Sequence, residues 1–397
     1  MYHGIDYLSK FGDLIEVTPN RTIANYLIWR LADLSVNYLS TDLRVVKQKY
    51  HQKLSGVINL DEGWKKCVIE SDVNIKQAVS AMYTQHKIQT LDKDGAVKIV
   101  ESLQETINQL IEQSLWMNKT EKEAIYDMID EIKMLVGYPD ENLNDSFFIE
   151  YYKDLIISND TSYFNTILEL QKFRIENEYK YLRRSVLDTQ WESIKPITDV
   201  SSTFSTLNRF LTIPVAFLKA PFYSANTQSY LNYGGIGVDA GISIAYAVGN
   251  ELLSFGSDFY RNSTKCVVKQ YEKYMKDVHN ITMDATKLSR KIMSENGSFK
   301  IGYHSYKGWQ KSDLVGSRLE RKLQGIDFTP EQLYWIASAQ IYCNKEGPEE
   351  FIRRTASDQT LERFKVLGSF QNLPEFSQDF NCPLGSNMNP IEKCQIF

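Results

Sequence analysis

The stretch from Tyr233 to Leu253 constrains this chain more than any other. It comes nearest to a continuous apolar run, yet Asp239, Asn250 and Glu251 interrupt it, so no span of 18 apolar residues is present. Such a segment is too polar for lipid and too apolar for a surface, which makes it a buried element of a globular core. Gly234, Gly235 and Gly237 read as a tight turn where backbones approach closely, and a helix of small and apolar residues around Ile242 to Val248 follows. With 397 residues, 43% hydrophobic and 24% charged, the chain can bury two or three cores, and wholesale disorder is excluded.

Helical signals dominate the first third. Thr18-Pro19 reads as an N-cap followed by proline at the first helical position, and Ile23, Leu27, Leu31, Leu34 and Tyr38 then recur at three-to-four spacing. Val100, Leu103, Ile107 and Leu110 repeat that period after Asp94-Gly95. Thr120-x-x-Glu123 has the form of a capping box, with Ile125, Met128, Ile129, Ile132 and Leu135 on one face and Gly137 and Pro139 as the stop. Another stripe runs from Phe164, Ile167 and Leu168 to Tyr179 and Leu182. The character changes after Lys195-Pro196. The stretch from Asn208 to Ser224 is rich in β-formers, but Pro214 and Pro221 interrupt it, which suits an edge strand or an irregular extended run. Thr329-Pro330-Glu331-Gln332 joins a capping box to a proline and opens a helix through Leu333, Ile336, Ala337 and Ile341. The expected class is mainly α with a small mixed β-sheet in the second half.

Few residues advertise chemistry. Forty-five Lys and Arg against fifty Asp and Glu leave a net charge of −5 without a basic block, which argues against nucleic acid as a partner. The opening MYHGIDYLSKFGDL lacks the pattern of a signal peptide, and no membrane anchor is visible in this chain. His3, His51, His86, His279 and His304 are at least 25 residues apart, so no H-x-x-x-H zinc pair shares a helix face. There is no G-x-S-x-G nucleophile elbow and no phosphate-binding glycine loop. Cys67, Cys266, Cys343, Cys382 and Cys394 form no C-x-x-C, and their odd number leaves a thiol without an intrachain partner. Reduced thiols would suit the cytosol. Seven N-x-[ST] sequons, at Asn20, Asn118, Asn144, Asn159, Asn262, Asn280 and Asn296, suit a glycosylated ectodomain instead.

Taken in order, several segments resemble the C-terminal half of the neprilysin and endothelin-converting-enzyme type of zinc metallopeptidase. They are TPNRTIANYLIWRL, SLWMNKTEKEAIYDMIDEIKMLVGYP, APFYSANTQSYLNYGGIG, IMSENGSFKIGYHSYKGW, FTPEQLYWIASAQIYC and the closing VLGSFQNLPEFSQDFNCPLGSNMNPIEKCQIF. The resemblance implies a thermolysin-like (zincin) catalytic-type domain over 161–397, part of a helical cover domain over 1–125, and a linker over 126–160. It further implies a Cys266–Cys394 disulfide and an extracellular or secretory-pathway location. Cys67, Cys343 and Cys382 resemble cysteines whose partners lie upstream, so the chain reads as a truncated ectodomain.

The same resemblance assigns the site. The zinc helix follows Y-G-G-I-G, and LNYGGIGVDAGISIAYAVGN aligns there without a gap. The two histidine-ligand positions are Ile242 and Tyr246, the general-base position is Ser243, and the aspartate that steadies a ligand histidine corresponds to Gly249. In KIMSENGSFK the third ligand position is Lys291 and the supporting aspartate is Glu295; a small shift would bring Glu295 to the ligand position. The oxyanion-stabilising histidine falls on Gln359 within Ser357-Asp358-Gln359, the substrate-holding arginine on Lys365, and the substrate-backbone clamp on Ser202-Thr203-Phe204-Ser205. Catalytic zinc needs three N, O or S donors and an open position for water. Ile242 offers no donor and Lys291 brings positive charge. Without the ion, water keeps a pKa of ~15.7, and without a carboxylate at 243 nothing takes its proton. The expectations are no cofactor, although zinc serves the family, no catalytic activity, and a role in binding peptides or a protein partner. The alternative is an active zinc metalloendopeptidase whose unorthodox metal site uses Glu251, Glu295 and a distant histidine. Lys291 either pairs with Glu295 in the vacated cation position or runs to solvent.

Overall fold

The computed structural model describes residues 4–56, 63–180, 182–183, 194–313, 320, 322–357 and 359–396. Asp358 of the Ser357-Asp358-Gln359 segment lies outside them. The chain is mainly helical with one small mixed sheet, as the sequence predicts. It opens with α1 (Ile5–Val17), α2 (Asn20–Ser35), α3 (Thr41–Ser55), α4 (Gly63–Asn74) and α5 (Lys76–Lys87). The predicted 23–38 stripe does form α2, but Leu27, Leu31 and Leu34 are exposed rather than core-facing. Thr18 turns back to donate to the Leu14 carbonyl, closing α1 instead of capping α2.

The next pair, α6 (Lys93–Gln113) and α7 (Lys119–Asp130), buries Val100, Leu103, Ile107, Ile125 and Ile129 at the predicted spacing. Their capping differs from expectation. Asn118, not Thr120, caps α7, since its side-chain oxygen accepts from the Glu121 amide at 2.9 Å while the Glu121 carboxylate accepts from the Asn118 amide at 3.0 Å. The helix also stops earlier than the sequence suggests. Lys133–Gly137 leaves it to form strand β1, which runs parallel to β3 (Phe210–Pro214). Strand β2 (Thr203–Ser205) lies antiparallel on the other side of β3. The proline-bearing segment is thus the central strand, not an edge; Pro214 is tolerated because it is the last residue of the ladder.

Beyond the sheet's first strand come α8 (Asp145–Tyr151) and α9 (Tyr163–Lys180), and after β3 come α10 (Ser229–Asn232), α11 (Val238–Ser254), α12 (Asp258–His279) and α13 (Ser289–Ser312). Four shorter helices follow: α14 (Pro330–Gln340), α15 (Pro348–Thr355), α16 (Glu362–Phe370) and α17 (Pro374–Asp379). Thr329 and Gln332 make the predicted capping box of α14. The glycines before α11 do not form a tight turn. Tyr233–Gly237 is one π-helical turn continuous with α11, although the predicted close approach is present: a Cβ on Gly235 would collide with the Phe222 carbonyl.

Within the described residues α11 is the buried centre, packed chiefly on α13. A Cβ on Gly241 would stand 3.2 Å from the Ser298 carbonyl, so the two helices touch through backbone. Among the described residues no helix is long and apolar enough to cross a membrane. Cys266 on α12 and Cys394 form the disulfide that the resemblance implies, with Cα atoms 5.7 Å apart across 128 residues of sequence. The tail around it is strapped down by the Asn372 side-chain oxygen, which accepts from the Cys394 amide at 3.0 Å, and by Lys393, which donates to the Gln371 carbonyl at 2.6 Å. Replacing both Cys266 and Cys394 by Ser should lower the unfolding free energy measured in urea by roughly 4–5 kcal/mol, the loop-closure entropy of a ring this long.

Candidate functional site

Helical geometry places Ile242, Tyr246 and Gly249 along one face of α11, with Ser243 beside them. Ile242 and Tyr246 are half-buried, while Ser243 and Gly249 are buried. Ser202, just ahead of β2, meets the start of this helix. Its amide donates to Asp239 Oδ2 at 3.0 Å, and its hydroxyl donates to the Asp239 carbonyl at 3.0 Å. The Ser202 and Ser243 hydroxyls lie 3.0 Å apart. Since the Ser202 hydrogen is already spent on the carbonyl, Ser243 is the donor of this third bond. Burial pushes the Asp239 carboxyl above the usual carboxylate range, against the bonds from Ser202 that favour its charge. Thr203 is exposed and joins the sheet opposite Thr212.

The second half of the site is electrostatic. Glu295 on α13 is 2% exposed, and both of its oxygens accept from the Thr360 hydroxyl, at 2.7 and 2.8 Å. The cation beside it is Lys365 at 3.6 Å, whose ammonium also sits 5.2 Å from the centroid of the Tyr342 ring. Of the two readings of Lys291, the cation position beside Glu295 is taken by Lys365 of α16. Lys291 stays half-buried on α13; burial pulls its pKa down, with the Glu295 charge opposing. Buried Arg354 braces this corner through Glu346 at 3.2 Å, Glu362 at 2.6 Å and the Thr360 carbonyl at 3.1 Å. Gln359 does not join the cluster: it is exposed, and its neighbour Thr360 points inward instead.

The fold brings Ser202, Ser243, Glu295 and Lys365, all singled out by the resemblance, into two adjoining polar clusters. Sequence reasoning misses Asp239 and Thr360. The i, i+4 spacing of Asp239 and Ser243 was a signal for the first; nothing local marks the second. It also misses Tyr260, whose hydroxyl fills the space a Cβ on Gly249 would need. Burial raises the Tyr260 pKa, so it stays a neutral phenol.

Models of peptidase family M13 match residues 1–139 and 202–396. Among curated proteins, Neprilysin-2 of Drosophila melanogaster is 29% identical over 417 residues, covering 98% of this chain and 53% of that protein. Endothelin-converting enzyme 1 of Homo sapiens is 26% identical over 407 residues, covering 99% and 52%. The chain therefore spans about half the length of the curated relatives it matches. A zinc metalloprotease of Mycobacterium tuberculosis, solved with an inhibitor, superposes with a TM-score of 0.81 at 20% identity, over 95% of this chain and 57% of that one. A second fold match is PepO of Lactobacillus rhamnosis, with a TM-score of 0.73.

These relatives correct the expectation of no cofactor. The family is one of zinc metalloproteases, and zinc is the ion against which the site has to be read. The side chains at the positions assigned by resemblance do not fit it. Ile242 has no donor atom, Tyr246 offers a phenol, Lys291 offers an ammonium or amine, and Glu295 is committed to Thr360 and Lys365. Among the described residues, no three His, Cys, Asp or Glu side chains converge into a metal-holding group, so the alternative set of Glu251, Glu295 and a histidine is not brought together.

Burial raises the Glu295 pKa above its ordinary 4.5, with Lys365 as the largest opposing influence. The folded protein then binds more protons at this carboxyl than the unfolded chain, so the stability it contributes declines as pH rises from about 4.5. Glu295→Gln should gain on the wild type in urea melts run between about pH 4 and pH 7, by a margin that widens with pH. A flat difference would contradict the buried placement.

Proposed function

The chain belongs to peptidase family M13, and we propose that within it this is a non-hydrolytic member, a pseudoenzyme that holds peptides or a protein partner without cutting them. One observation carries this reading. The position assigned to the general base is a serine whose hydrogen is committed to Ser202, and Ser202 in turn is tied to Asp239. A neutral hydroxyl is far too weak a base to take a proton from water at neutral pH, whichever way its hydrogen points, whereas hydrolysis by positioned acid–base groups needs a group that can. Binding asks for less: polar groups such as Ser202 and the strand it precedes suffice, and no charge has to develop on an acyl oxygen.

Supplied with zinc, the full chain should release no fluorescence from a quenched peptide library above buffer background, while showing saturable binding of library peptides by polarisation. Zinc-dependent, chelator-sensitive cleavage would overturn the reading. It would favour the working metalloendopeptidase instead.

An extracellular or secretory-lumen setting belongs to the same proposal. The disulfide suits an oxidising compartment. Asn20, Asn118, Asn144, Asn159, Asn262 and Asn280 are exposed, whereas Asn296 is buried, donating to the Ile292 carbonyl at 2.8 Å and accepting from Asn372 at 3.0 Å. Glycopeptide mapping of protein secreted from a eukaryotic host should find glycans on exposed sequons and none on Asn296. Complete absence of glycans would count against this location.

A further inference from the structure

Six consecutive residues, Ile391 to Ile396, line a cavity of about 670 Å³ beside the disulfide. Trp116, from the turn between α6 and α7, Phe259 of α12 and Pro374 of α17 line it too. The Trp116 and Phe259 rings are stacked, with centroids 4.0 Å apart and planes 11° from parallel. Ile391, on the same cavity, is 80% exposed. The space is therefore bounded by a run of chain on one hand and by apolar side chains on the other.

That run of chain is extended. From Lys393 to Ile396 the residues are half-buried, buried, exposed and buried in turn, the period of two that a strand shows. It does not join the three-stranded sheet. One of its edges is taken: the Cys394 amide donates to Asn372 and the Ile396 carbonyl accepts from Lys300 at 3.2 Å. In an extended chain successive residues turn their N–H and C=O to opposite edges. Lys393 and Gln395 thus present theirs on the other edge, and among the described residues neither backbone makes a hydrogen bond. The Cys266–Cys394 bond holds this edge in place before anything meets it, which lowers the entropy lost on binding.

We propose that this cavity receives an extended, uncharged peptide segment of a partner protein, which adds as a strand along Lys393–Gln395 and lays an apolar side chain against Trp116 and Phe259. Main-chain bonds to the incoming strand replace bonds to solvent, so they set register at modest net gain. Affinity comes from the apolar area that the rings and Ile391 lose to water. Charge does not select the ligand, because Lys300 and Lys393 are matched on the lining by Glu375 and Glu392. A small apolar molecule would cover the rings but leave the strand edge unused.

The test titrates the full 397-residue chain into a fluorescein-labelled, end-blocked peptide, Thr-Leu-Thr-Leu-Thr, and follows polarisation. Saturable binding is expected. N-methylation of the three central amides of the peptide should weaken it about tenfold or more, since the strand then has no donors to offer. Gln395→Pro removes an amide from the open edge and should weaken binding by a similar factor, whereas Gln395→Ala keeps that amide and should bind as the wild type does. Absence of binding, equal affinity for the methylated peptide, unchanged affinity in Gln395→Pro, or loss of binding in Gln395→Ala would each overturn the proposal. Peptide binding that persists in Gln395→Pro would leave the non-hydrolytic reading of α11 standing, so the two fail separately.

Discussion

Gly241 allows α11 to lie against α13 with backbone in contact, the Ser298 carbonyl standing where a side chain would begin. The two polar clusters beside these helices depend on that approach. It fixes which residues of α11 face outward toward β2, which is why Ser243 meets Ser202, and it sets Glu295 into a space that solvent does not reach. Two helices this close leave no slack for a side chain of different volume, so which residues stand between them is decided by packing as much as by chemistry.

A carboxylate buried at such a contact has to be answered. Thr360 supplies the hydrogen bond and Lys365 the charge, and Lys365 is held in turn by Tyr342 and by Glu362 at 3.9 Å. Arg354 ties Glu362 back to Glu346 and to the Thr360 carbonyl. The arrangement links α13, α15 and α16 through alternating charges. Breaking such a set by removing one member costs more than the set contributes as a whole, since the partner is left buried and alone.

Much of the helical frame was legible in the sequence, because three-to-four spacing with caps has few other readings; α6, α9 and α14 show this. Strand β1 was not. Met134, Leu135 and Val136 fit the end of a helix as well as a strand, and only pairing with Leu211, Thr212 and Ile213, far along the chain, decides between them. The apolar stripe of α2 showed its helix but not its surroundings, since periodicity reports a face and says nothing of what lies opposite. At the site, family resemblance located Ser243 and Glu295. It placed Gln359 where the fold presents Thr360, because a one-residue difference in a loop reverses which side chain points inward. The Glu295–Lys365 pair spans 70 residues of sequence and could be found only by folding the chain.

Gly249 and Tyr260 have a historical consequence. If an aspartate once stood at 249, its loss opened a gap that a tyrosine hydroxyl now fills, and the phenol bars any larger residue from coming back. A side chain returning at 249 would require the Tyr260 ring to shift or to be replaced. Neighbouring substitutions of this kind act as a ratchet: each is tolerable in one order and obstructed in the other. A lineage that has passed through both is held away from its ancestral chemistry by steric occlusion, even before selection is considered.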